Sequence, residues 1–395
     1  MIPVNEPLMA RNTQKYVNEC IETGWISSAG KYIKRFEEEF AEYLNVRHAI
    51  TTTSGTTALH LSLVSCGIGA EDAVLIPSLT MIAVPYAVLY TGALPIPLDV
   101  DYEIFNLDPE GVREYLQTQC RFSGSDSHPV DNRTGRTIKA ILPVHLYGHP
   151  CQMEKILELA KEFNLLVIED AAEAHGAQFI PESNSSGESY YAGTLGNIGC
   201  FSFYANKIIT TGEGGMVVTD SDEIARNSRS LKDLAHSPDK RFLHNTVGYN
   251  YRMTNMQAAV GVSQLEEIER FIEIKQTMAR TYKELLEDIP GLNLPQEKPW
   301  ARNVYWMYAV VVEDRFGMSR DELMKELKQR GVDTRTFFVP VHQQPVFAEH
   351  FSSFSLPVSE ALSQRGFYLP SGMALTHEQM HTVSQVLHTI HSKLR

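Results

Sequence analysis

Between about Ala49 and Asp220, short runs of apolar residues alternate with longer stretches of helical character. AITTT precedes the helix candidate TTALHLSLVS, VLIPS precedes MIAVPYAVLY, and IKAILPVHL precedes MEKILELAKEF and then LLVIEDA. Strands that are apolar at nearly every position are buried on both faces, so the pattern predicts a mainly parallel sheet with helices on each side. Such sheets bind ligands at the carboxyl ends of their strands. Past NYRM the pattern changes. Thr254 followed by Gln257 makes a capping-box start, and Val262, Leu265, Ile268, Ile272, Met278, Tyr282 and Leu285 recur at nearly helical spacing, predicting one long helix that links two domains. The remainder, with strand-like YWMYAVVVE and the helices RDELMKELKQRG and HEQMHTVSQVLHTIHSKL, reads as a smaller α/β domain of α+β type. The expected division is 1–249 for the large domain with its N-terminal segment, and 250–395 for the linking helix and small domain. Arg121 to Arg136 and Pro181 to Tyr190 are polar and read as mobile surface loops.

A chain of 395 residues with 43% hydrophobic and 21% charged residues can bury a sizeable core. Its net charge of −13 repels polyanions, which sets aside nucleic acid and acidic membrane faces as main partners. Cys20, Cys66, Cys120, Cys151 and Cys200 form no C-x-x-C pair, and MIPVNEPLMARN lacks a basic, then apolar, leader, so a cytoplasmic protein with reduced thiols is expected. Ala73 to Leu98 carries no charge and is long enough to raise a membrane span. Pro77, Pro85, Pro95 and Pro97 interrupt it, and strand, helix, strand is the better reading.

Four segments end a predicted strand or open a helix with a chemically useful group. In TTTSGTTALHL, Ser54, Gly55 and Thr56 stand at a helix start, where free N–H groups and the helix dipole favour an anion, although a plain capped helix reads the same way. In LLVIEDAAEAHGA, Asp170 sits at a strand's carboxyl end, where it could pair with a protonated ring nitrogen, cap a helix or bind a metal. CFSFYANKIITTGEGG places Lys207 among aromatic and small residues after Ser202, a setting that lowers an amine's pKa and frees it to form an imine. GYNYRMTNMQAA offers Asn250 and Arg252 just before the long helix, for a phosphate or for the helix itself. His145 and His149 have the spacing of a helical metal pair, but Gly148 and Pro150 break a helix there and no further ligand set accompanies them, so no metal is expected.

An anion cradle, a pyridinium partner and a lysine nucleophile together make up a pyridoxal-phosphate (PLP) site. ISSAGKYIKRFEEEF, TTSGTTALHL, PVHLYGHPCQM, EDAAEAHGA, FSFYANKIITTGEGG, NYRMTNMQAA and FFVPVHQQP together resemble the DegT/DnrJ/EryC1/StrS family of sugar aminotransferases across nearly the whole chain. The resemblance implies PLP fold type I, the aspartate-aminotransferase fold, with a large domain on a mainly parallel seven-stranded sheet, in a homodimer with composite active sites. It makes Lys207 the Schiff-base lysine and proton carrier, and Asp170 the partner of the pyridine nitrogen. Ser54, Gly55, Thr56 and Ser202 would hold the phosphate, with Asn250 arriving from the neighbouring subunit. Met81 and Ala172 would flank the ring and Glu173 would meet its hydroxyl, a position often Gln in relatives. Trp25, Ser27, Ser28, His145, Arg252, Phe338 and His342 match the sugar-nucleotide region, and Arg252 and Arg335 are candidates for its diphosphate.

The implied reaction moves an amino group from L-glutamate to a nucleotide-linked 4-keto-6-deoxy hexose, GDP-4-keto-6-deoxy-D-mannose first, with UDP- or dTDP-linked acceptors and the 3-position as alternatives. A non-catalytic sensor that binds PLP or a nucleotide sugar is the rival from another class, and retention of Lys207 and Asp170 speaks against it. The family's dehydratase branch carries histidine at the lysine position, so Lys207 favours amino transfer.

Overall fold

The chain's apolar strands align into one twisted sheet because both of their faces find a core. The computed structural model describes residues 1–122, 124, 128–181, 187–240, 242–351 and 353–394. The main path of its nine-stranded large sheet is built from β1 (His48–Thr52), β2 (Asp72–Pro77), β3 (Leu94–Leu98), β4 (Thr137–Ile141), β5 (Leu166–Asp170), β6 (Ile198–Ser202) and β7 (Gly215–Thr219), with two short strands, Cys120–Arg121 and Val130–Asp131, attached beside β4. Their spatial order is β1-β7-β6-β5-β4-β2-β3, with β7 alone antiparallel to its neighbours. Along β2, Val74 and Ile76 face one core and Ala73 and Leu75 the other, the period-2 alternation of a sheet covered on both sides. Asp72–Leu98 resolves into strand, helix (Ala83–Tyr90) and strand, and no helix among the described residues is long and apolar enough to cross a membrane.

Six of the seven strands therefore share one direction, and their carboxyl ends share one edge. The helix α1 (Gly55–Ser65) leaves β1 at that edge behind a Ser54/Thr57 capping box.

The long linking helix is two helices, α2 (Asn255–Leu265) and α3 (Ile268–Leu286). Glu267 leaves helical geometry at φ −115° and ψ 12°. Apolar periodicity runs straight through the break because Leu265 and Ile268 both stay buried. What interrupts the helix is polar. Glu266 collects Asn12, Tyr16 and the Arg35 guanidinium, and Glu267 accepts the backbone N–H of Arg11. The Thr254/Gln257 capping box is present.

The second core surrounds an antiparallel sheet of β8 (Leu292–Asn293), β9 (Tyr308–Val312), β10 (Arg335–Thr336) and β11 (Gly366–Leu369), in the order β8-β9-β11-β10. Helices Arg320–Gln329 and His377–Ser392 and the second half of α3 cover it, with Met278, Tyr282, Leu323, Leu327, Val383 and Leu387 buried together. Of the two polar stretches, residues 123, 125–127 and 182–186 lie outside the described residues. The flanks of the first are ordered pairs, Cys120–Arg121 against Val130–Asp131.

Candidate active site

The carboxyl edge of the large sheet, roofed by the small domain, encloses a cavity of about 340 Å³. Ser54, Gly55 and Thr56 reach it after β1, Thr80 and Met81 after β2, Val144 and Leu146 after β4, Asp170, Ala172 and Glu173 from β5, and Ser202 and Lys207 from β6. Trp306, Arg335, Phe338 and Tyr368 enter from the small domain. A larger cleft of about 650 Å³ beside Tyr102, Arg280 and Tyr305 holds none of these groups.

One end of the cavity is built for an anion. The capping box sends the Thr57 N–H to Ser54 Oγ at 3.2 Å, and the Ala58 N–H goes to the Ser54 carbonyl at 3.0 Å. The N–H groups of Gly55 and Thr56 have no acceptor among the described residues, and the Ser202 hydroxyl lies alongside. Gly55 is required there, since a Cβ would fall 2.7 Å from the Cβ of Ser202. Main-chain donors, a helix dipole and a hydroxyl together suit a phosphate dianion.

Two adjacent carboxylates on β5 meet opposite fates. Glu169 is fully buried and satisfied by His145 Nε2 at 2.9 Å and the N–H groups of Gly193 at 2.8 Å, Leu195 at 2.7 Å and Gly196. Asp170, only 4% exposed, has one donor among the described residues, the Ala172 N–H at 2.9 Å. Burial raises the Asp170 carboxyl to about 6, against the pull of that N–H. The nearby Lys207 offsets that burial only in part, so a cationic group bound in the cavity would favour the ionised form. Burial likewise raises Glu173, whose Oε2 accepts the Tyr147 N–H at 2.9 Å and whose Oε1 accepts from Lys207 Nζ at 3.3 Å.

Lys207 Nζ also lies 3.9 Å from the centroid of the Trp306 ring, whose N–H donates to the Asn206 carbonyl at 2.7 Å. Thr80 Oγ1 and Asn206 Oδ1, on the same wall, are buried without a partner among the described residues. An anion cradle, an under-compensated carboxylate, an amine and unspent polar atoms around one cavity fit PLP.

Sequence reasoning and geometry part at several positions. His145 does not reach the cavity. It is fully buried, its Nδ1 accepts the Cys151 N–H at 2.9 Å, and its Nε2 donates to Glu169, so both ring nitrogens are spent on holding the strand ends. His342 is occupied in the same way, by Ser78 Oγ at 2.7 Å and Glu360 at 3.1 Å. Trp25, Ser27, Ser28, Asn250 and Arg252 lie outside this chain's own cavity; Asn250 is exposed and accepts from Arg252, which pairs with Asp233 at 2.8 Å. Thr80, Asn206, Trp306 and Tyr368 were not singled out by the sequence. Trp306 and Tyr368 belong to strand-like runs whose apolar pattern signals only a core.

A model of the DegT/DnrJ/EryC1/StrS aminotransferase family matches residues 7–388. The chain belongs to that family. It is 40% identical to the GDP-perosamine synthase of Caulobacter vibrioides over 98% of this chain and 97% of the relative. To the GDP-perosamine synthase of Escherichia coli O157:H7 it is 39% identical over 99% of both. The structure of DesV from S. venezuelae, solved in complex with a ketimine intermediate, superposes with a TM-score of 0.84 at 33% identity, covering 96% of this chain and 94% of that one. The fold is PLP fold type I, and the protein is a PLP-dependent aminotransferase.

Cofactor linkage at Asp170 is measurable. A folded-state pKa near 6 against an ordinary value of 3.8 means that the cofactor-free native state binds this proton more tightly than the unfolded chain. Its contribution to stability is therefore present at acid pH, falls as pH rises through that window, and is lost above about 6. Cofactor-free Asp170→Asn should melt a few degrees above the unsubstituted protein at pH 8, with the gap narrowing as pH falls from about 6 toward 3.8. PLP should then raise the melting temperature of the unsubstituted protein more than that of the variant. A variant that melts lower at pH 8 without cofactor would contradict this electrostatic assignment.

Proposed function

We propose that this sugar-nucleotide aminotransferase moves the amino group of L-glutamate to carbon 4 of GDP-4-keto-6-deoxy-D-mannose, giving GDP-perosamine. The observation that carries the reading is the full-length likeness to GDP-perosamine synthases, at 40% and 39% identity, joined to a cavity that retains both a lysine and a buried carboxylate. When bound, PLP supplies a carbonyl for the amino group and a ring that takes up the electrons of the adjoining carbon. Asp170 holds the proton on the ring nitrogen. With PLP bound, Lys207 Nζ would be the base that takes the proton from the donor's α-carbon and the acid that delivers a proton to carbon 4 of the acceptor sugar, with Glu173 3.3 Å away to balance its charge. Gly55, Thr56, Ser54 and Ser202 anchor the phosphate, and Met81 and Ala172 border the ring.

On the substrate side, Arg335 brings a guanidinium to the cavity wall for the diphosphate, while Phe338, Trp306 and Tyr368 offer ring surfaces to the hexose and keep water out. The remaining contacts come from a second subunit. Residues 234–250 present Phe242, Leu243 and Val247 at 75%, 46% and 78% exposure, an apolar edge beside Asn250 and Arg252. In a homodimer this edge would carry Asn250 to the partner's phosphate and Arg252 to its sugar nucleotide.

Comparing kcat/KM for GDP-, dTDP- and UDP-linked 4-keto-6-deoxy hexoses and a 3-keto isomer, with glutamate held constant, tests the substrate. The GDP-linked 4-keto sugar should lead by about a hundredfold or more, because a site that hydrogen-bonds a hydroxyl leaves that group unpaired with the wrong epimer. Preference for a dTDP- or UDP-linked sugar would overturn the GDP assignment, and preference for the 3-keto isomer the position of amination.

The composite site is tested by mixing subunits. Homodimers of Lys207→Ala and of Asn250→Ala should each be impaired, the first by about a thousandfold or more. Random exchange should restore about a quarter of the unsubstituted rate, since half the dimers are mixed and each mixed dimer regains one intact site. No recovery after demonstrated exchange would place both residues in one chain's site.

A further inference from the structure

Lys275, in the middle of α3, is 2% exposed and the only lysine buried to this degree among the described residues. No carboxylate pairs with it among those residues. Its Nζ instead donates to two main-chain carbonyls, that of Trp306 at 2.8 Å and that of Ser371. Burying an amine without a counter-charge is costly, and methionine would fill the same volume without that cost. Burial pushes Lys275 down to about 7, where ammonium and neutral amine coexist, and either form has enough N–H groups for both carbonyls.

The two carbonyls belong to one place in the small sheet. β9 and β11 pair Tyr308 with Leu369, and in the same register Trp306 stands opposite Ser371, just past the last ladder pair. The strands part there, and the amine of Lys275 sits between the carbonyls they leave. Trp306 is thus held at its main chain from α3 and at its ring N–H by the Asn206 carbonyl, at 2.7 Å, next to Lys207. A third restraint is Tyr147, whose ring lies nearly parallel to the indole at 19° and 6.3 Å between centroids. The ring so fixed presents its face to Lys207 Nζ at 3.9 Å. The contact orients the amine between the indole face and Glu173.

We propose that Lys275 is a positioning residue for amino transfer: by gripping the main chain at Trp306 it fixes the indole face against the amine of Lys207. The proposal rests on the reading of Lys207 as the reacting amine, and it is tested by a measurement that does not depend on that reading. In cofactor-free protein labelled with 5-fluorotryptophan, the ¹⁹F spectrum reports Trp25, Trp300 and Trp306, and the Trp306 line is the one missing from Trp306→Phe. Lys275→Met should shift or broaden that line and leave the other two in place. It should also lower kcat about ten- to a hundredfold with little change in KM for glutamate, the scale of a misplaced catalytic group. The double variant Lys275→Met/Trp306→Phe should be no slower than Trp306→Phe alone.

An unmoved Trp306 line would overturn the proposal, as would losses that multiply in the double variant, the mark of a lysine that merely supports the fold. If Lys275→Met does not fold, Lys275→Leu, which likewise removes the donor, carries the same measurements with the same deciding outcomes. Failure of the Lys207 reading shows separately, as near-normal turnover by Lys207→Ala while the ¹⁹F response to Lys275→Met persists.

Discussion

Ionising a carboxylate inside a protein requires compensation, and β5 shows both ways of meeting that requirement. Glu169 receives His145 and three main-chain N–H groups and is complete within the fold. Asp170, the next residue, receives one N–H and is left raised to about 6. The difference lies in the alternation of the strand, which turns Glu169 into the protein and Asp170 toward the cavity. The rest of the site is organised around that deficit. In the proposed reading a cationic ring nitrogen would remove it, and the anion cradle at Gly55 and Thr56 and the amine of Lys207 would give the same ligand two further points of attachment.

The cavity belongs to two cores. The large sheet supplies the polar groups, while Trp306, Arg335, Phe338 and Tyr368 come from residues around the small antiparallel sheet. Arg335 and Tyr368 are cross-strand partners in β10 and β11, so their side chains enter together. α2 and α3 join the cores, and their break at Glu266 and Glu267 is tied down by Arg11, Asn12, Tyr16 and Arg35 from the N-terminal region. Placement of the small domain is therefore part of the chemistry, because it determines where the indole meets Lys207.

Much of this was legible in the chain. Unbroken apolar runs such as LLVIEDA marked strands buried on both faces, and the residues that close those runs, Asp170 and Ser202 among them, were already at the edge where parallel sheets bind ligands. The helix start at Ser54 and the capping box at Thr254 were readable because they are local. Contacts that depend on folding over long separations were not. Trp306 lies 3.9 Å from Lys207 only after two domains have docked, and YWMYAVVVE carries the signal of a buried strand alone. The helix break escaped notice because hydrophobic period ignores the polar face on which it is made. His145 misled for a related reason: a histidine beside a binding strand looks the same in sequence whether it faces the ligand or, as here, the buried Glu169.

Everything proposed for the site requires Lys207 to be the amine that joins the cofactor. Borohydride reduction of the PLP-loaded protein, followed by proteolysis and mass mapping, makes that bond permanent and locates it. The account predicts a pyridoxyl group on the peptide containing Lys207, with loss of the label in Lys207→Ala. Stoichiometric labelling of any other lysine, with Lys207 unmodified, would contradict it.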